Sequence, residues 1–285
     1  MSINPTDPVM TQAQASQIAA NFCRQMGLTV TASPTAVFPV PTREYISVTH
    51  WQPAWQVIFP GQAEVHIVDA TGIISWYSTI SPQDINEVFT DCLDGTTISS
   101  DDAIRFATAA LSSTGQQGEL VFDQAYRNAV HDNGGSSDHT WWVRWKRQIQ
   151  GVPYREDFAR VKLSAGTGRI IGLNIAFSSI PPASMAINVT RAQADSVIDA
   201  FANNAPLYTA SIRSAILNQV KLEIVPASSY WQTGQYNMDS GEQGVLAYVY
   251  ELIDGDQSYD VFVDCGTGNI IGGESTGQYS DSATN

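Results

Sequence analysis

The sequence is poor in positive charge. Lysine and arginine number 14 against 28 aspartates and glutamates in 285 residues, a formal net charge of −14. Nucleic-acid binding needs a basic footprint that displaces counterions from phosphates, so this balance excludes it. Long apolar runs are missing too; none approaches the roughly 20 residues of a membrane-spanning helix. No charged-then-apolar leader opens the chain at Met1. The sequence therefore reads as cytoplasmic, or as a mature form whose leader was removed.

Groups that carry chemistry are equally sparse. There are three cysteines and four histidines. Cys23 lies on an apolar helical stripe and reads as a packed thiol, while Cys92 and Cys265 have neither zinc-knuckle nor redox-pair spacing. At most one disulfide can form within the chain. His50, His66, His131 and His139 fall in no metal-binding pattern, and no G-x-S-x-G elbow is present. No catalytic constellation and no cofactor are expected. The acids of "DGDQSYD", Asp254, Asp256 and Asp260, resemble the start of a calcium loop, but its later glycine and closing glutamate are absent. Asp-Gly at this place is also a hairpin signal.

What the sequence has is repetition. "VDATGIIS" (68–75), "LSAGTGRIIGL" (163–173) and "VDCGTGNIIGG" (263–273) share a Thr-Gly centre followed by paired isoleucines. Gly72, Gly168 and Gly268 read as hairpin-turn glycines at positive φ, with β-branched flanks suited to strands. A phosphate loop would need Lys-Ser/Thr and a helix after the glycine. Matched on the isoleucine pair, the first turn is one residue shorter than the others.

A helix signal precedes each turn. Thr11-Gln-Ala-Gln14 and Thr190-Arg-Ala-Gln193 are capping boxes, and Ser99-Ser-Asp-Asp102 is a looser one. Apolar stripes follow in one register: Ala15, Ile18, Ala19, Phe22, Cys23; Ala103, Phe106, Ala107, Ala110, Leu111; Ala194, Val197, Ile198, Phe201, Ala202. Between helix and turn lie aromatic alternating strands at Trp55–Phe59, Trp141–Trp145 and Tyr248–Tyr250. The expected fold is α+β: three tandem modules, 1–97, 98–186 and 187–285, each one helix on an antiparallel sheet. Residues 31–42, with Pro34, Pro39 and Pro41, read as an extended loop.

The segment from His139 to Leu163 stands apart. Seven of the 14 cations fall between Arg144 and Arg169. Strand alternation puts Trp141, Val143, Trp145 and Arg147 on one face and Trp142, Arg144 and Lys146 on the other. The second set is a candidate docking face for an acidic or extended peptide partner. In the intramolecular alternative, arginines stack on tryptophans and the cations pair with Glu156 and Asp157 across the hairpin.

"WWVRWKRQIQGVPYREDFARVKLSAGTGRIIGLNIAF" (141–177) resembles the PepSY-like repeated domain of bacterial envelope proteins. The matching features are an aromatic strand, a G-x-P-Y hairpin and a Thr-Gly turn after a helix. Residues 55–77 and 247–273 are similar to the same module, though the first copy has "FPGQAEVHIV" in place of G-x-P-Y. The resemblance implies cystatin-like layers and an extracellular or cell-envelope location. It carries no catalytic residue set. Related modules restrain or chaperone secreted metalloproteases. No protease domain follows in this sequence, which counts against a propeptide acting in cis. Two functions are expected from this: a non-catalytic module binding another protein, a peptidase among the candidates, or a structural subunit that assembles with copies of itself.

Overall fold

The computed structural model describes residues 7–41, 53–79, 97–116, 118–131, 137–177, 182, 184–204, 215–226, 244–254 and 257–278. Contacts group the chain into two compact units of α+β architecture.

The first unit holds helices α1 (Gln12–Gln25) and α2 (Ser100–Ser112). Its strands are β1 (Thr35–Pro41), β2 (Pro53–Phe59), β3 (Ala63–Val68), β4 (Ile74–Thr79), β5 (Glu119–His131), β6 (Ser137–Ile149) up to Arg147, the part of β7 (Val152–Ser164) from Asp157 onward, and β8 (Ile170–Ala176). They form a sheet in the order β1-β2-β3-β4-β8-β7-β6-β5. Residues 35–41, expected as loop, are a strand. Pro39 and Pro41 are tolerated because β1 is an edge, and its register slips between Val37 and Val40.

β4 pairs with β8 through Trp76↔Asn174, Tyr77↔Leu173 and Ser78↔Gly172. The first two expected modules therefore share one sheet, and α1 and α2 cover the same face of it over one core. Ala15, Ala19, Phe22 and Cys23 from α1, and Ala103, Ala107, Ala110 and Leu111 from α2, are buried there. They meet Val57, Val65, Ile67, Tyr77, Val143, Ala159, Val161 and Leu173. Ile18 and Phe106 flank this core half-buried. β6 and β7 are joined through Gln150 and Gly151, both at positive φ, as a type I′ hairpin requires.

The second unit takes the first part of β7, α3 (Arg191–Asn204), β9 (Ile216–Pro226), β10 (Gly244–Asp254), β11 (Gln257–Asp264) and β12 (Ile270–Gln278). Its strand order is β9-β10-β11-β12, and Tyr154 of β7 meets Ile224 of β9 in a parallel bridge. Ala194 and Ile198 of α3 pack on Tyr250, Leu252, Tyr259, Val261 and Val263. Strand alternation turns Val225, Ala247, Val249 and Phe262 to the opposite face, and they are buried as well.

One contact recurs between helix and turn. Gly72, Gly168 and Gly268 sit at φ 72°, 74° and 77°. Their amides donate to Val68, Ser164 and Asp264 carbonyls at 2.8–2.9 Å. The hydroxyls of Thr71, Thr167 and Thr267 accept from the amide two residues on, which explains why Thr precedes Gly. The three turns have equal length. Ile74, not Ile73, corresponds to Ile170 and Ile270, so the apparent shortening came from matching the wrong isoleucine.

The residue before each helix cap is then tied to the turn. Ile98 donates its amide to the Ala165 carbonyl, and Val189 to that of Cys265. At the corresponding place in the first turn the Asp69 carboxylate accepts from the Val9 and Met10 amides at 2.7 and 3.0 Å. It also accepts from the Trp55 indole at 3.0 Å. The caps form as the sequence predicts: Gln14, Asp102 and Gln193 amides donate to Thr11, Ser99 and Thr190 hydroxyls.

Candidate functional site

In the first unit the helices cover one face of the sheet, and alternation sends every second side chain to the other. The register there aligns a continuous row. Gln56 lies opposite His66, His66 opposite Trp76, Trp76 opposite Asn174, and Asn174 opposite Arg160. A parallel row runs through Glu64, Ser78, Gly172 and Lys162. Five strands from two distant stretches of the sequence thus build one polar and aromatic surface.

Its two ends differ in charge. At one end Glu64 accepts from Gln56 Nε2 at 2.6 Å and sits 2.8 Å from His66 Nε2. The His66 ring lies 5.0 Å from that of Trp76. Glu64, His66 and Asn174 are buried and form the floor, while Gln56, Trp76 and Ser78 are half-buried above it. At the other end cations and rings alternate. Arg160 lies 4.5 Å and Lys162 5.3 Å from the Trp142 ring, and Arg144 and Arg160 lie 5.2 and 5.6 Å from the Phe158 ring. Arg144 also pairs loosely with Asp123 at 3.5 Å. A guanidinium packed over an indole gains a cation–π contact and loses little further conformational freedom when it binds a partner. Cations held in this way are suited to carboxylates or to the carbonyls of an extended chain.

The structure places Trp142, Arg144 and Lys146 half-buried on this face, which no described helix covers, with Val143 and Trp145 buried beneath on the other. Two features of the intramolecular alternative are also present. Stacking occurs, with Arg160 and Lys162 as the partners of Trp142. Asp157, fully buried, pairs with Arg147 at 3.0 Å, on the helix-covered side of β6 rather than on the docking side. Sequence reasoning missed Arg160, Lys162, Asn174, Trp76, His66 and Gln56. Their i, i+2 spacing was visible on each strand, but the β4–β8 pairing that aligns them was not.

A second cluster, in the second unit, was missed entirely. Arg155 donates to Glu274 at 2.6 Å, to Glu223 at 2.8 Å and to Asp260. Its guanidinium also lies 5.2 Å from the Phe262 ring. Three carboxylates from three strands share one cation. Burial pushes Asp260 above the ordinary carboxylate range against the pull of Arg155.

Asp260 is therefore committed to Arg155. The regular β10–β11 register, with Glu251↔Asp260 and Asp254↔Gln257, puts Asp254 and Asp260 on opposite faces, which does not form a calcium loop. Asp256 lies outside the described residues. Among the described residues no group of three or more His, Cys, Asp or Glu is arranged to hold a metal. Burial pushes the Cys23 thiol up to about 12 and the Cys265 thiol to about 11, so both are protonated packing groups. Cys92, His50 and the side chains of His131 and His139 lie outside the described residues. No described helix is long and apolar enough to cross a membrane.

No protein family and no curated protein matches the chain. Among solved structures, it is similar to the Bacillus megaterium YpeB C-terminal domain, with a TM-score of 0.48 and 15% identity over 93% of this chain and 97% of that one.

Proposed function

We propose that this chain is a non-catalytic protein-binding protein of three PepSY-like modules, acting outside the cell or in its envelope. In this reading the face of the first unit opposite α1 and α2 docks an extended, acidic stretch of a partner polypeptide. The observation that carries it is the ladder of Lys162, Trp142, Arg160, Phe158 and Arg144 at one end of the cross-strand row. Four of the 14 cations, Arg144, Lys146, Arg160 and Lys162, lie on this one face of a chain with net charge −14. Local positive charge of this kind orients an acidic partner and speeds encounter, and tryptophan and arginine are frequent interface anchors. The three-module reading is supported by the helix–turn contact that recurs at Gly72, Gly168 and Gly268. A peptidase is the partner class that the PepSY resemblance implies.

The test is recovery of partners from the native envelope by wild type and by an Arg144→Ala/Lys146→Ala/Arg160→Ala variant, with folding checked by circular dichroism. Loss of the bound proteins from the folded variant is expected. Equal recovery by both would assign the ladder to structure alone. Finding the chain in the cytosol of its source cells would remove the envelope part of the proposal.

A further inference from the structure

Sheet edges attract other strands, and proteins protect them with short strands, proline, bulges, charged side chains (lysine above all) or a covering element. The edge at β1 carries Pro39 and Pro41 and a register slip. In the second unit β12 carries Gly272, Gly273 and Gly277 and is paired to β11 through two register slips. The edge at β5 is different. Among the described residues it pairs only with β6, and it runs for 13 residues, ELVFDQAYRNAVH, without proline, glycine or lysine. Val121, Phe122 and Tyr126 are exposed on it.

Its charges have a further property. The midpoint of Glu119–His131 is Ala125, and an antiparallel copy of the strand centred there meets this one along its whole length. In that register Asp123 of each copy faces Arg127 of the other, Gln124 faces Tyr126, and Ala125 faces Ala125. The strand is therefore complementary to itself in charge about its own centre. The two Asp–Arg pairs are equivalent under the two-fold axis, and the contact closes on itself as a dimer rather than extending into a filament.

We infer that β5 is a homodimerisation edge, at which two copies of this chain pair β5 with β5 antiparallel about Ala125. The inference rests on the backbone edge of β5; it touches the docking face at one point, where Asp123 also lies 3.5 Å from Arg144. Sedimentation equilibrium of the full chain over a wide concentration range tests it. Wild type is expected to show a monomer–dimer equilibrium and no higher species.

Arg127→Glu places two acids opposite each other twice, and Asp123→Lys does the same with cations. Each variant alone is expected to weaken the dimer by about tenfold or more. Mixed in equal amounts, the two variants restore complementarity. The introduced lysine of one copy then faces the introduced glutamate of the other, the retained Asp123 faces the retained Arg127, and a mixed dimer should form with near wild-type affinity. Recovery in the mixture also shows that neither variant is merely misfolded. A wild type that stays monomeric throughout, as expected if the edge serves a foreign strand or nothing, overturns the inference. So does a dimer indifferent to both charge variants.

Discussion

At the scale of single residues, the turn glycines separate two costs that sequence reasoning cannot distinguish. All three sit in the left-handed region, where any Cβ is strained. A Cβ on Gly168 would also lie 2.7 Å from the Phe106 ring, while on Gly268 it would meet Val189 at 3.4 Å. Gly268→Ala should cost about 1 kcal/mol from backbone strain, and Gly168→Ala about 2–3 kcal/mol because Phe106 must move as well. Urea midpoints of the two variants check the order; equal shifts would mean that Phe106 yields freely.

The Arg155 cluster gives a prediction with a defined pH sign. The folded-state pKa of Asp260 is raised above its unfolded value. Its contribution to stability is thus fully present below the ordinary carboxylate range and is lost as pH rises through the folded pKa. Arg155→Met leaves Glu223, Asp260 and Glu274 uncompensated and should destabilise the second unit by about 3–5 kcal/mol at pH 8. The loss should shrink at pH 5, where protonation relieves the excess charge. Thermal unfolding at both pH values checks this, and a pH-independent loss would contradict it. Arg155 was illegible in the sequence because its partners come from three strands, the nearest of them 68 residues away.

At the scale of elements, the helices were the most legible part. Capping residues and 3.6-residue stripes are local signals, and the buried residues of α1 and α2 lie on the stripes that the spacing gives. The turns were legible as glycine-centred hairpins, while the role of Asp69 was not. It stands where the other turns have Ala165 and Cys265, and its carboxylate takes over the task of a backbone carbonyl. Asp69→Ala should leave the Val9 and Met10 amides and the Trp55 indole without that acceptor. The expected cost is about 1–3 kcal/mol, with faster hydrogen exchange at the start of α1. Unchanged exchange there would show that α1 is positioned by packing alone. β1 was misread because its prolines argue against a strand unless the strand is an edge, and edge position is a property of the assembled sheet.

At the scale of the whole molecule, the repeat was visible and the grouping was not. Three similar segments suggest three separate bodies, yet contacts divide the chain into two compact units, and the first contains the helices and hairpins of two segments. The pairing of β4 with β8 joins positions about a hundred residues apart through three register pairs that no local pattern encodes. The same pairing completes the row from Gln56 to Arg160. Alternation placed Trp142, Arg144 and Lys146 on one face, but their neighbours depend on that long-range register.

The most direct measurement is a titration of the chain with poly-glutamate, an extended acidic polypeptide, followed by tryptophan fluorescence at low and high ionic strength. The account predicts saturable binding that weakens as salt rises, because the contact is electrostatic. It also predicts that Trp142→Phe removes most of the fluorescence change and that Arg160→Ala weakens binding by about tenfold, as the loss of one well-placed charge–carboxylate contact implies. No binding at low salt, or binding that both variants retain unchanged, would contradict the assignment of the face opposite α1 and α2 as the docking surface.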